Sequence, residues 1–243
     1  MSTAQKSIVL IQCKSYHPLE DTLHTCETYI NAPSAANATL YVSAPYSYIE
    51  HFSEKFGPAG IIIGSEKMLS CDDKAFTAAI SDKILTQANA KFVLIGTTEE
   101  RKICQVNGLS LKNKIKTALK AGLSPFLCIG ETWEEFEDGN SKKILAEQLK
   151  EAIDGLSPEE LNNVYFVYEA PWIDSGMWNN NDEILNTAYN NFKEVVHEAT
   201  DPTTHDTLHL IAAVPKNSLS LSDIIATIQK TPYSFAGLSL GIV

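Results

Sequence analysis

Lys91-Phe-Val-Leu-Ile-Gly96 and Ser124-Pro-Phe-Leu-Cys-Ile-Gly130 are short apolar runs, each closed by glycine, and the stretch between them, 107–121, carries helical periodicity. Continuous apolar runs of this length suit strands buried on both faces, and two strands joined through one helix run parallel. The same alternation continues outward in both directions. Strands are expected at 7–13, 39–43, 60–64, 91–96, 124–130, 164–169, 207–213 and 234–240, with helices at 19–30, 46–56, 77–88, 107–121, 141–153, 182–198 and 218–229. The polar starts Ser157-Pro-Glu-Glu160 and Asn181-Asp-Glu183 fit helix N-termini, where short side chains accept free amide protons. Eight strands in helical alternation can close into a β/α barrel; a doubly wound open sheet is the alternative. No G-x-G-x-x-G follows the first strand to cradle a dinucleotide, and no Pro/Gly/Ser linker divides the chain. One barrel domain over 1–243 is therefore expected.

The 243 residues carry 19 basic and 30 acidic side chains, a formal charge of −11. That balance repels a phosphate backbone and an anionic leaflet, so neither nucleic acid nor a membrane is expected as a partner. Lys112, Lys114, Lys116 and Lys120 form the densest basic cluster and read as a solvated helix face. No apolar run approaches the roughly 20 residues that cross a bilayer, and the N-terminus lacks a secretory apolar core, which points to the cytoplasm. Cys13, Cys26, Cys71, Cys104 and Cys128 are odd in number and without C-x-x-C spacing, so reduced thiols are expected. The six histidines form no pair on one helical face, and no metal or cofactor is expected.

In a β/α barrel the reactive groups stand at the carboxyl ends of strands, where the following loops converge. Lys14 follows strand 1, Thr97, Thr98 and Glu99 follow strand 4, Glu131 follows strand 5 and Glu169 ends strand 6. A cation and a carboxylate at one mouth suit proton abstraction beside a carbonyl: the carboxylate takes the proton and the cation steadies the enolate oxygen. Spacing alone leaves open a buried Lys–Glu pair that serves packing.

Five ordered motifs resemble the triosephosphate isomerase family. Gly96-Thr-Thr-Glu-Glu-Arg101 is similar to its G-H-S-E-R-R, Cys128-Ile-Gly-Glu131 equals C-I-G-E, and Tyr168-Glu-Ala-Pro-Trp172 is similar to Y-E-P-V-W. Gln12-Cys-Lys14 takes the place of N-x-K, and Ala236-Gly-Leu-Ser-Leu240 that of G-G-A-S-L; Ala44-Pro45 and Ala75-Phe-Thr77 are lesser matches in the same order. The resemblance implies a TIM (β/α)8 barrel that interconverts an aldose and a ketose phosphate within glycolysis and gluconeogenesis. It implies Glu169 as the base, Lys14 as the steadying cation and Glu99 as a retained site carboxylate, without a cofactor. The family's electrophilic histidine is Thr97 here. For the sugar-phosphate substrate it implies contacts from Gln12, Ser175 in the lid, Val214, Ala236 and Gly237.

Several departures bear on activity. A threonine hydroxyl is a poorer acid than an imidazole, so weakened turnover is expected. The G-G-S-V expected after strand 7 is Ala212-Ala-Val-Pro215, and Pro215 has no amide proton to offer an anion. The lid reads Ile173-Asp-Ser-Gly-Met177, which would bring the Asp174 charge toward an anionic ligand. The sequence ends Gly241-Ile-Val243 where the family enters an eighth helix, so that helix is expected to be missing or vestigial. Its groove then serves a partner or is closed by long side chains of helices 1 and 7. The loop 65–76 keeps the length of the family's dimer arm, which is consistent with a homodimer, although the arm's Q-N is Glu66-Lys67 and the contact arginine is Glu100. Two functions compete: a Glu169-driven isomerase, and a catalytically degenerate barrel retained for binding or structure. A Lys14 Schiff-base aldolase is disfavoured because neighbouring carboxylates hold the amine charged.

Overall fold

The computed structural model describes residues 7–13, 15, 17–69, 80–103, 108–179, 181–202, 208–213 and 237–242. Its strands are β1 (Ser7–Cys13), β2 (Ala38–Ala44), β3 (Ile62–Ser65), β4 (Phe92–Ile95), β5 (Ser124–Ile129), β6 (Tyr165–Tyr168), β7 (His209–Ala213) and β8 (Gly237–Ile242). All neighbours pair parallel in chain order, and β8 returns to β1 from Ile8↔Gly237 to Cys13↔Ile242. That pairing closes the barrel and removes the open-sheet alternative.

The strand alternation explains why the barrel is filled. Side chains at successive positions point to opposite faces, so Ile8 and Leu10 of β1 join Phe92, Leu94, Phe126, Val167 and Ile211 inside. Val9, Ile11 and Cys13 face the helices in the larger outer core. The interior toward the strands' amino ends is aromatic. Phe126 stacks on Tyr165 at 4.3 Å, Tyr165 on His209 at 4.2 Å, and the hydroxyls of Tyr41 and Tyr165 meet at 3.2 Å. Gly64 of β3 lies opposite Phe92, and a Cβ there would stand 2.3 Å from that ring, so only glycine leaves room for it. Among the described residues this aromatic plug fills the barrel toward the strands' amino ends.

The helices are α1 (Leu19–Ile30), α2 (Ile49–Phe56), α3 (Asp82–Gln87), α4 (Thr98–Ile103), α5 (Gly108–Lys120), α6 (Trp133–Glu137), α7 (Ser141–Ile153), α8 (Pro158–Leu161), α9 (Pro171–Ser175) and α10 (Asp182–Ala199). Short caps decide where several begin. Ser157 and Glu160 form a reciprocal capping box at α8, and the Asn181 side chain accepts the Glu183 amide at α10. Among the described residues, no helix is long and apolar enough to cross a membrane.

Some expected boundaries move for local reasons. The third strand starts at Ile62 rather than at 60, because Gly60 is left-handed (φ 81°) and ends the preceding 3-10 turn. The helix expected at 46–56 opens with a 3-10 turn at Tyr46–Tyr48. Helices α4, α6, α8 and α9 are too short for periodicity to reveal. The helix expected at 218–229 lies outside the described residues.

His209 provides a test of the aromatic plug. Burial holds its imidazole below the usual pKa of 6.5, so the folded chain binds fewer protons than the unfolded chain as pH falls through that value. Its contribution is complete above pH 6.5 and is lost as pH drops through the depressed pKa. Thermal unfolding from neutral pH to about pH 5 should therefore cost the parent more stability than a His209→Gln variant. Equal losses would remove His209 as the cause.

Candidate active site

The carboxyl ends of β1, β3, β4 and β6 surround a cavity of about 330 Å³. Gln12, Thr97, Glu99 and Glu169 all line it, together with Glu66 and Lys67 from the loop after β3. Three residues expected from strand-end reasoning, Thr97, Glu99 and Glu169, are thus brought to one opening with Gln12, which the resemblance implied. Lys14, Val214 and Ala236 lie outside the described residues, as do 70–76 of the expected dimer arm. Gly237 begins β8 and pairs with Ile8 and Ile211.

The turn after β4 is held by a polar lattice within the chain. Gly96 takes φ 76° and donates its amide to Glu100 Oε2 at 2.7 Å. Glu100 Oε1 accepts from the Lys114 ammonium, and both side chains are buried. Lys114 therefore departs from the solvated face expected of its cluster, because its partner reaches it from α4. Lys112 meets Asp154 at 2.9 Å. Arg101 donates from Nε to the Gly96 carbonyl and from a terminal nitrogen to the Cys128 carbonyl, both at 2.8 Å, which ties β4 to β5. Burial lowers its guanidinium pKa, against the opposing pull of the neighbouring Glu100 and Glu169 carboxylates.

Thr97 has a structural task in this lattice. Its hydroxyl oxygen accepts the Glu100 amide at 3.3 Å, capping α4, while its own proton is left to donate. Glu99, one turn position on, is exposed at the cavity edge.

Glu169 follows β6 and is fixed through its backbone. Its amide donates to Ile129 at 2.8 Å, and the Thr98 hydroxyl donates to its carbonyl at 3.3 Å. Gly130 makes this approach feasible, since a Cβ there would lie 2.1 Å from the Glu169 carbonyl oxygen. Below it, the fully buried Cys128 is held as a thiol, first by burial and then by the Glu169 carboxylate to which it is hydrogen-bonded.

Other strand-end residues turn elsewhere. Glu131 is buried away from the cavity; its Oε1 accepts from Ser141 at 3.0 Å and Tyr168 at 2.9 Å, and burial pushes its carboxyl pKa up. Ser175 ends α9, exposed, with its hydroxyl on the Trp172 carbonyl at 2.8 Å. Asp174 is exposed on α9 and is not among the cavity's lining residues. Ser15, Glu66 and Lys67 were not singled out for chemistry from sequence, although Glu66 and Lys67 immediately follow a strand end. No cluster of three metal-ligating side chains occurs among the described residues.

The geometry can be set beside known proteins. The family model for triosephosphate isomerase matches residues 7–212. The triosephosphate isomerase of Protochlamydia amoebophila is 28% identical over 173 residues, 71% of this chain and 66% of that protein. That of Dictyoglomus thermophilum is 26% identical over 169 residues, 69% and 68% of the two chains. The matched stretch thus spans about two thirds of these relatives' length. The crystal structure of triosephosphate isomerase from Bartonella henselae superposes with a TM-score of 0.78 at 21% identity, over 97% of this chain and 92% of that one, a likeness of fold. A model match covering most of the chain, on a closed eight-stranded barrel, settles the family: the chain belongs to the triosephosphate isomerases, as a divergent member.

Proposed function

We propose that the chain is an aldose–ketose isomerase that moves a proton between adjacent carbons of a triose phosphate or a related small hydroxy-carbonyl, with Glu169 as the base. The observation that carries this reading is the convergence of Glu169, Gln12, Thr97 and Glu99 on one cavity at the strands' carboxyl ends. In the reaction the Glu169 carboxylate takes the proton beside the carbonyl and returns it to the neighbouring carbon. The Gln12 amide and the Thr97 hydroxyl donate to the substrate oxygens, and the Lys14 ammonium steadies the enediolate charge. Ser175, Val214, Ala236 and Gly237 complete the substrate contacts. No cofactor takes part; the protein acts in the cytoplasm as one barrel domain over 1–243, and the 65–76 loop joins it into a homodimer.

Thr97 limits the rate. One positioned acid–base group supplies about 10²–10⁴ in rate, roughly 3–5 kcal/mol of barrier, and a capping hydroxyl recovers only part of it. The same cap favours the second reading, a barrel kept for binding, because the hydroxyl already serves α4. Incubation in D₂O with glyceraldehyde 3-phosphate, dihydroxyacetone phosphate and the tetrose analogues separates the two. Slow deuterium incorporation at the α-carbon is expected, and its absence from every substrate would leave the binding module standing.

A further inference from the structure

Arg101 lies behind the cavity, where the first turns of α4 cross the ends of β4 and β5. Its part-buried guanidinium donates to the carbonyls of Gly96 and Cys128, one on each strand end. The group lies close over Gly96: a Cβ there would stand 2.8 Å from its terminal nitrogen and 3.1 Å from the Cys128 carbonyl oxygen. Since Gly96 is also left-handed, the position favours glycine on two counts, and both leave room for the guanidinium. The two acceptors are neutral, whereas a guanidinium stays protonated in proteins. Its charge therefore acts on the carboxylates around it, which are Glu100, Glu169 and Glu151.

Two of these carboxylates have other settings. Glu100 is engaged by Lys114 and by the Gly96 amide, and Glu151 is exposed on α7, where water screens it. Glu169 is the carboxylate of the three that the proposed reaction uses. A mechanical link runs to the same residue. Cys128 gives its carbonyl to Arg101 and its thiol to the Glu169 carboxylate, and the next residue, Ile129, accepts the Glu169 amide. One turn of α4 thus reaches the base through two successive residues of β5.

We propose that Arg101 is the positioning residue for the base: its guanidinium clamps β4 to β5 behind Glu169 and supplies the counter-charge that keeps that side chain a carboxylate. The proposal rests on the isomerase reading for what Glu169 does, while the coupling between the two groups is measurable without turnover. Glu99 and Glu100 from α4, Cys128 from β5, and Glu66 and Lys67 from the loop after β3 also face Glu169 or its cavity, so the test replaces each end of the Arg101–Glu169 pair in turn.

NMR titration of the isotope-labelled full chain is the test. The Glu169 carboxyl carbon is identified by its loss in Glu169→Gln, and the Arg101 Nε–H by its loss in Arg101→Lys. In the parent, the Arg101 resonance should shift with pH at the midpoint of the Glu169 carboxyl, and that inflection should vanish in Glu169→Gln. Arg101→Met should raise the Glu169 midpoint by about one pH unit, a tenfold gain in proton affinity, because the carboxylate loses a nearby cation. The acid limb of kcat/KM should rise with it. Arg101→Lys keeps the charge but not the planar fork, so it should hold the midpoint and lower kcat by about tenfold at little change in KM. The proposal is overturned if the parental Arg101 resonance does not follow the Glu169 carboxyl, if a folded Arg101→Met leaves the midpoint in place while lowering only the thermal midpoint, or if Arg101→Lys matches the kcat of an active parent. Should Arg101→Met not fold, the parental titration decides alone. The isomerase reading fails separately: the two resonances titrate together, yet no solvent deuterium enters any hydroxy-carbonyl offered.

Discussion

Glu169→Gln should lower isomerisation of any accepted hydroxy-carbonyl by about 10²–10⁴-fold, because an amide cannot take the α-proton. Glu169→Asp should lose about 10²-fold, since withdrawing the carboxylate by one methylene displaces it by about 1 Å from the reacting carbon. This ranking distinguishes a base from a carboxylate that only shapes the cavity, for which Asp would be the more damaging change. Both variants should fold. The anchors that position residue 169 are its amide on Ile129 and its carbonyl under Thr98, and neither substitution touches them. Turnover and deuterium exchange, read beside thermal midpoints, check the result; parental rates in Glu169→Gln would remove Glu169 from the chemistry.

The barrel was legible because its signal is short-range and repeated. Apolar runs such as Phe92–Ile95 and Ser124–Ile129 are buried whichever way each side chain points, so burial on both faces leaves the same mark in every strand. Strand-end reasoning likewise points to Thr97, Glu99 and Glu169, because the loops at the carboxyl ends of a closed parallel barrel converge on one mouth, whereas Gln12 is legible only through the resemblance of Gln12-Cys-Lys14 to a family motif. It could not say which of them turn aside. Glu131 also follows a strand end, yet Ser141 and Tyr168 hold it behind the sheet, a choice made by the path of the chain after Gly130. Lys114 was misread for a related reason. Charge runs are usually solvated, and nothing local announces that a carboxylate fourteen positions earlier reaches back to it. Thr97 shows the opposite failure: the motif invites a reading as a substitute for histidine, while its task as the cap of α4 depends on the backbone turning so that the Glu100 amide, three residues on, meets its hydroxyl.

That lattice supplies the largest expected loss of stability. Glu100→Gln leaves the Lys114 ammonium buried without a counter-charge, and removing one member of a buried pair costs about 3–5 kcal/mol. In a chain of this size the thermal midpoint should fall by roughly 10 °C. High salt should not reproduce the loss, because ions screen exposed pairs far more than buried ones. The charge, not the contact area, is the cause, so adding Lys114→Met to Glu100→Gln should restore most of the stability: a neutral, well-packed pair avoids the desolvation that two buried ions incur. A loss below about 1 kcal/mol in the single variant would instead class the pair with exposed ones. Activity should follow the same order for a geometric reason. Glu100 holds the Gly96 amide, and its own amide rests on Thr97, so a shift at Glu100 moves the start of α4 and with it Thr97 at the cavity wall. The paired replacement keeps an amide oxygen at position 100 for Gly96, and turnover should recover with the fold.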